Sequence, residues 1–479
     1  MYIGLDLGTS GLKAVLIDVN QNILAEASAP LEAVRPETGW SEQAPATWLD
    51  ATDAVMRALG GQVPLDGVKA IGLSGQMHGA TLLDDADEVL RPCILWNDTR
   101  SAVEAAALDA DPQFRALTGN IVFPGFTAPK LAWVAKHEPE IFARVARVLL
   151  PKDYLRLWLT GEAVAEMSDA AGTSWLDVAK RDWSDDLLAA TKLSRGQMPR
   201  LVEGSEVSGQ VRDALATRWG LPRGVVVAGG GGDNAASAVG VGVVKAGDAF
   251  VSLGTSGVLF AASDAYNPDA ASAVHTFCHA LPNTWHQMGV ILAAADALNW
   301  FARIADRPAA TLTGGLGALQ APGRTLFLPY LGGERTPHND AAIRGAFLHL
   351  DHATDSQAMA RAVLEGVTHA IRDCHDALTS TGTKINRLIA VGGGSRSDYW
   401  VQAIATSLDL PIELPVAGDF GGAFGAARLG LMAATGAGAE IATAPKIART
   451  IEPDTKLTAA FVEAHARYRA SYTALKGLT

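Results

Sequence analysis

Leu7-Gly8-Thr9-Ser10-Gly11 recurs letter for letter at Leu253-Gly254-Thr255-Ser256-Gly257. Each copy follows a short apolar run that reads as a strand, Tyr2-Ile3-Gly4-Leu5 in one case and Ala249-Phe250-Val251 in the other, and a second strand pattern follows each. Glycines flanking Thr-Ser between two strands predict a tight turn whose backbone N–H groups and hydroxyls converge on an anion. One such turn opens each half of the chain. That predicts a duplicated domain gripping the phosphates of one nucleotide from both sides, through Gly8, Thr9 and Ser10 and through Gly254, Thr255 and Ser256. The copies differ where chemistry requires it: Asp6 and Lys13 flank the first, Ser252 and Leu259 the second. The first turn is therefore the one expected to handle a metal ion, and the second to cradle phosphate alone.

Outward from these turns, residues 1–30 read as a three-strand meander with a turn at Asn20-Gln21-Asn22. A helix over Ala46–Leu59 and a strand over Val68–Leu73 follow. The region 101–220 reads as mostly helical, punctuated at Pro112, Pro139, Pro151 and Gly161. Near residue 225 the plan starts again: a strand at Val225–Ala228, the run Gly229–Gly232, then a helix over Asn234–Val244. The second half repeats strand, glycine cluster and helix at Leu388–Val391, Gly392–Gly394 and Tyr399–Leu408, after a longer helix at Ser356–Leu378. This unit sets a helix N-terminus against a ligand in α/β proteins. The repeat places a domain boundary near residue 244, giving domains 1–244 and 245–479.

The formal charge of −12, from 39 Lys and Arg against 51 Asp and Glu, argues against nucleic acid as a partner. No apolar run is long enough to span a bilayer, and the N-terminus enters a strand with Asp at position 6 rather than a secretory leader, so the cytoplasm is the expected compartment. Cys93, Cys278 and Cys374 show neither metal-ligand spacing nor a disulfide pattern, and read as buried small residues.

Five stretches carry chemistry. Asp6, at a strand end before the first turn, is either a turn-favouring acid or a group near Mg²⁺, which prefers few carboxylates together with water and phosphate oxygens. Lys13 is either a phosphate contact or an exposed strand residue. Asp233, delivered by four glycines, is placed to take the proton of an attacking hydroxyl, as phosphoryl transfer to an alcohol requires; an N-cap role is compatible, but does not explain the glycines. Ser74-Gly75-Gln76-Met77-His78-Gly79 sets Gln76, Met77 and His78 at a strand end, and Trp96-Asn97-Asp98 adds an aromatic face suited to a sugar. Gly392–Ser397 suits close approach of a nucleotide, through Gly393, Gly394 and Ser397. There is no P-loop, no dinucleotide fingerprint and no nucleophile elbow.

Gly125-Phe126-Thr127-Ala128-Pro129-Lys130-Leu131-Ala132-Trp133-Val134-Ala135-Lys136-His137 resembles the first signature of the FGGY carbohydrate kinases at every defined position. The region of the second signature, Gly345 to Glu365, is looser, with His349 where glycine is common. Pro151-Lys152-Asp153-Tyr154, Ser168-Asp169-Ala170-Ala171-Gly172-Thr173 and Gly333-Glu334-Arg335-Thr336-Pro337 most resemble the xylulose-phosphorylating branch of the family. The resemblance runs over essentially the whole chain. It implies two actin/hexokinase-like (ribonuclease H-like) α/β domains with a cleft between them, and ATP with Mg²⁺. It also implies D-xylulose phosphorylated at its 5-hydroxyl, with Asp233 as base and Met77, His78, Trp96 and Asn234 lining the sugar. A homodimer is a further implication. Charged residues, which the glycerol-phosphorylating members carry at the places of Met77 and His78, are absent here.

Overall fold

The computed structural model describes residues 1–416 and 420–478. In the first strand, Tyr2–Leu7, the period of two sends Ile3, Leu5 and Leu7 into a core shared with Trp48, Val55 and Leu59 of the helix Pro45–Gly60. Gly4 and Asp6 fall on the other face. That alternation decides what each side of the sheet can do.

Two mixed sheets follow one plan. In the first, Ile23–Pro30, Gly11–Ile17 and Tyr2–Leu7 lie antiparallel in turn; Ala70–Gly75 and Val226–Ala228 join in parallel, and Val207–Gln210 closes the edge antiparallel. In the second, Trp285–Ile291, Gly257–Ser263 and Gly247–Leu253 are antiparallel, Ile385–Val391 and Ile412–Pro415 parallel, and Ile447–Ile451 antiparallel at the edge. One extra strand, His275–Cys278, lies outside Trp285–Ile291. The duplicated α/β architecture expected from the repeated turn is present, and both turns join antiparallel neighbours.

Two stretches hold elements that the sequence did not show. The stretch 101–220 is rich in helix, as expected, but short strands interrupt it. Helices such as Thr127–His137 and Pro151–Thr160 alternate with short ladders pairing Thr81–Leu83 with Arg147–Leu149, Val164–Glu166 with Arg200–Val202, and Leu176–Asp177 with Asp182–Trp183. Strands of two or three residues are too short to display a period of two, so the helical spacing around them dominates the pattern. The glycine-rich segment Gly422–Thr435, given no assignment from sequence, is a 14-residue helix. It is flanked in the chain by two strands of the second sheet, yet it packs on the first.

That crossing rests on missing side chains. A Cβ on Gly4 or on its strand partner Gly72 would overlap the carbonyl oxygens of Ala423 and Ala426 in the crossing helix. A Cβ on Gly425 would overlap the carbonyl oxygen of Ala236 in the helix Asp233–Val241. Backbone therefore lies directly on backbone across sheet, crossing helix and Asp233 helix. Such a contact leaves no room for a methyl group, because protein interiors are already close-packed. Gly425→Ala is expected to destabilise the protein by about 3 kcal/mol, read as a lowered midpoint of thermal unfolding. Gly314→Ala, where nothing lies within 4 Å of the added atom, is the control and should leave the midpoint in place.

Candidate active site

Strand register assembles the acids. Asp6 is the parallel partner of Ser74, and Gly231 of the glycine run pairs with Ser74 from its other side. Asp6, Ser74 and the delivery of Asp233 therefore lie side by side on neighbouring strand ends. Ser74 Oγ donates to Asp6 Oδ1 at 2.7 Å. A Cβ on Gly422, at the start of the crossing helix, would stand 2.8 Å from Asp6 Oδ2 and from Ser74 Oγ, so the helix start also requires glycine to sit over this acid. Burial pushes the Asp6 carboxyl up, against the opposing pull of the Ser74 hydrogen bond and the Lys13 charge. Lys13, the antiparallel partner of Asp6, also pairs with Glu26 at 3.5 Å.

The four glycines before Asp233 thread between other backbones. Gly230 has φ 81°, and a Cβ there would overlap the carbonyl of Leu73; one on Gly229 would overlap that of Glu203. Gly229 N–H donates to Glu206 O and Gly230 N–H to Gly204 O, both at 2.8 Å. Asp233 is the first residue of its helix and the cap position is Gly232, so Asp233 is not the N-cap. Its Oδ1 accepts from Asn234 N at 2.7 Å and from Asn234 Nδ2 at 3.0 Å, and Oδ2 takes no hydrogen bond from the described residues. Burial, then the negative charge of Asp6, raise the Asp233 carboxyl to about 6. A carboxylate with one idle oxygen and that affinity for protons is suited to general-base work near neutrality.

The loop after Ser74 divides its labour. Gln76 is buried, and its amide serves the first turn: Thr9 Oγ1 donates to Gln76 Oε1 at 2.9 Å, and Gln76 Nε2 donates to Gln43 Oε1 at 3.0 Å. Gln43 in turn donates to Thr9 O at 2.7 Å. The amide expected to line a sugar thus fastens the Gly8-Thr9-Ser10 turn. His78 has φ 70° and lies stacked on Phe126 with ring centroids 4.5 Å apart. Its Nδ1 is 2.7 Å from Gly172 O, so that nitrogen carries the hydrogen and Nε2 is left as an acceptor. Burial, then the Lys130 charge, lower the imidazole to about 3, and it is neutral. Gly172 is required here, since a Cβ would come within 2.5 Å of His78 Cε1 and 2.8 Å of Met77 Cε. Trp96 is 49% exposed and donates from Nε1 to Thr9 Oγ1 at 2.9 Å, which presents its ring face beside the first turn.

Lys130 escaped the sequence reading of the site. Fully buried on the helix Thr127–His137, it donates from Nζ to His78 O and Gly125 O, both at 2.7 Å, and burial lowers it to about 7. Its signature was legible, but its task of tying two loop carbonyls has no sequence pattern.

The second turn lies at the matching place of the second sheet. Gly394 sits against Leu253, with 2.8 Å left between an added Cβ and the Leu253 Cβ, so the glycine run packs on the strand end that leads into the Gly254–Ser256 turn. Two hollows flank the run. A cavity of about 770 Å³ lies between the halves, lined by Asn234, Ser237, Phe250, Ser252, Gly393 and Gly421 among others. A smaller one of about 400 Å³ is lined by Asn299, Thr313, Gly393, Gly394, Ser397 and Trp400. Ser397 also caps the helix Asp398–Leu408. Asn299 and Thr313 were given no role by sequence. Asn234, expected against a sugar, holds Asp233 and faces the larger hollow. Among the described residues no group of three or more His, Cys, Asp or Glu side chains converges to hold a metal ion. Asp6 beside Ser74 is the sparse donor set that fits Mg²⁺ arriving with phosphate and water.

Residues 1–240 match the N-terminal domain model of the FGGY family of carbohydrate kinases, and residues 249–434 match its C-terminal domain model. The chain is 49% identical over 480 residues to the xylulose kinase of Escherichia coli strain K12, covering 99% of both, and 36% identical to that of Bacillus subtilis strain 168, covering 89% of this chain and 87% of the other. A crystal structure of a xyloylose kinase from Brucella ovis superimposes with TM-score 0.99 at 63% identity, covering 100% of both chains. A xylulose kinase from Rhodospirillum rubrum superimposes with TM-score 0.93 at 30% identity, covering 100% of this chain and 99% of the other.

The Asp233 carboxyl is expected to titrate near 6 in the folded protein, followed by carboxyl ¹³C NMR against an Asp233→Asn reference. Because Asp6 contributes a like charge, Asp6→Asn should lower that midpoint; an unchanged midpoint would mean that the two carboxylates do not sense each other.

Proposed function

From the premise that the chain belongs to the FGGY family of carbohydrate kinases, we propose that it transfers the γ-phosphoryl group of ATP to the 5-hydroxyl of D-xylulose, giving D-xylulose 5-phosphate and ADP. The observation that carries this reading is Asp233: a carboxylate raised to about 6, with one oxygen idle, delivered by four glycines beside Asp6. Relatives named xylulose kinase over nearly the whole chain favour the ketose as acceptor.

In this reading the sugar lies on the first half. His78 Nε2 accepts from a sugar hydroxyl, Met77 supplies an apolar wall, and Trp96 offers a ring face to the C–H side of the sugar. Asn234 holds Asp233 in place and borders the sugar. Asp233 takes the proton of the 5-hydroxyl as its oxygen bonds to the γ-phosphorus; the bond from that phosphorus to the β,γ-bridging oxygen breaks, and ADP leaves. The turns at Gly8–Ser10 and Gly254–Ser256, with Lys13, take the β- and γ-phosphates, and Gly393, Gly394 and Ser397 take the adenosine side in the smaller hollow. Asp6 would hold Mg²⁺, which supplies neutralisation of the phosphate charge. The division of labour is a sugar-binding domain over 1–244 and an ATP-binding domain over 245–479. Among the described residues no helix is long and apolar enough to cross a membrane. A cytoplasmic homodimer completes the proposal, on family likeness.

The test is ADP release with Mg-ATP against D-xylulose, L-ribulose, L-fuculose, glycerol and no sugar. Release that rises selectively with D-xylulose is the expected result, a preference for another sugar moves the acceptor, and release indifferent to sugar overturns the reading. Asp233→Ala should lower kcat by roughly 10²–10⁴-fold. The unsubstituted enzyme should lose kcat as pH falls through about 6, because the base must be ionised.

A further inference from the structure

Beneath the glycine run lies a knot of buried charge. Lys152, Asp153, Arg156, Glu166 and Asp169 are all fully buried. Lys152 Nζ stands 2.7 Å from Asp153 Oδ1, 3.2 Å from Asp169 Oδ2 and 3.6 Å from Glu166 Oε1. Buried ion networks are poor sources of stability, since desolvation opposes the Coulombic gain, so five such groups in one place point to a positional task.

The partners identify that task. Arg156 spends its shortest bonds on the backbone beside the run: Nη1 donates to Ala228 O and to Ser208 Oγ, and Nη2 to Gly229 O, each at 2.6 Å, while Nη2 keeps only a longer contact of 3.5 Å with Asp153 Oδ1. It thereby holds the two carbonyls at the entrance of the run. At the exit, Gly232 N–H donates to Ser168 Oγ at 3.0 Å. The same hydroxyl donates to Glu166, whose carboxylate also accepts from Ser168 N at 2.7 Å and Asp169 N at 2.9 Å and so caps the short turn Met167–Ala170. Lys152 faces that carboxylate from the other side. Four consecutive glycines have more backbone freedom than any other tetrapeptide. These contacts remove that freedom at both ends of the segment that presents Asp233.

We infer that Arg156 and Ser168 are positioning residues for Asp233, acting through the Gly229–Gly232 backbone. The inference rests on the reading of Asp233 as the base. Misplacement of a reacting group by about 1 Å costs on the order of 10²-fold in rate. The experiment measures kcat, the KM for D-xylulose and for Mg-ATP, and the folded fraction by circular dichroism, for Ser168→Ala, Arg156→Lys and Asp233→Ala. Ser168→Ala and Arg156→Lys are expected to lower kcat per folded molecule by roughly 10–100-fold, with both KM values unchanged. Arg156→Lys keeps the charge and loses the fork; if it fails to fold, Ser168→Ala decides, since it removes one hydroxyl. Wild-type kcat per folded molecule in Ser168→Ala, or a loss carried wholly by KM or by the folded fraction, overturns the positioning role. If Asp233→Ala collapses while Ser168→Ala does not, only that role falls. If Asp233→Ala keeps wild-type kcat, the base reading itself falls and takes the positioning role with it.

Discussion

The contact on which the rest depends is backbone against backbone: the helix Gly422–Thr435 lying on Gly4 and Gly72 of the first sheet and on the helix that starts at Asp233. No side chain intervenes, so the separation is set by carbonyl oxygens and Cα atoms and leaves no slack. Close packing of this kind transmits position well, because a sub-ångström shift in one layer has no compressible neighbour to absorb it. Three features of the site follow. Gly422 is brought over Asp6 and Ser74, the Asp233 helix is pinned from behind, and a segment flanked by strands of the second sheet is fixed to the first. The halves are therefore joined through the layer that covers the acids.

Electrostatics is arranged around the same point. Asp6 lies near the end of one strand and Asp233 follows the glycine run on the far side of Ala70–Gly75; burial holds a proton on each more firmly than water would, and at Asp233 the Asp6 charge adds to this. Isolated, that pair is unfavourable to the fold. The Lys13 charge offsets part of that cost at Asp6. The knot around Lys152 differs in holding its own cations and in being closed to solvent, though Asp153 Oδ2 and both Asp169 oxygens take no hydrogen bond from the described residues. One acid group is left incompletely matched where chemistry is proposed. The other carries cations of its own, Lys152 and Arg156, where support is needed.

How much of this was legible in the sequence depends on what kind of signal each element leaves. The two Gly-Thr-Ser-Gly turns announced the duplication because a repeat of five letters is visible without any alignment, and the strands around them alternate cleanly. Asp233 stood out because four glycines in a row weaken any strand or helix, and so mark a place where backbone must come close to something else. Gln76 stood out by its loop, but its protein partners did not: its amide reaches Thr9 and Gln43, and Gln43 is 33 positions away in the chain with nothing to mark it. The crossing helix was missed for a related reason. Gly-Ala-Phe-Gly-Ala-Ala-Arg-Leu-Gly has no polar face, since it is covered on nearly every side, and glycine lowers helix propensity. Its reason for being a helix is tertiary. Lys130 and Arg156 belong to the same class, as both bind carbonyls of loops remote in sequence.

The duplicated plan is used unequally, and one pair of positions decides how. Aligned on the repeated turns, Gly4 corresponds to Phe250, and their strand partners Gly72 and Ile389 correspond as well. Where the first sheet has two glycines, a helix lands on the backbone and closes the face, leaving room only for Asp6. Where the second has phenylalanine and isoleucine, the facing helix is held off, and Phe250, Ser252 and the Asn234–Ser237 side of that helix border a cavity of about 770 Å³. Asp6 then corresponds to Ser252, a hydroxyl facing open volume in place of a carboxylate under a helix. The half closed by glycine holds Asp6 beneath a packed helix start. The half opened by phenylalanine keeps the space that a bulky, polyanionic ligand requires. A fold built twice from one plan thus closes one sheet face and opens the other through the size of two side chains on a single strand pair.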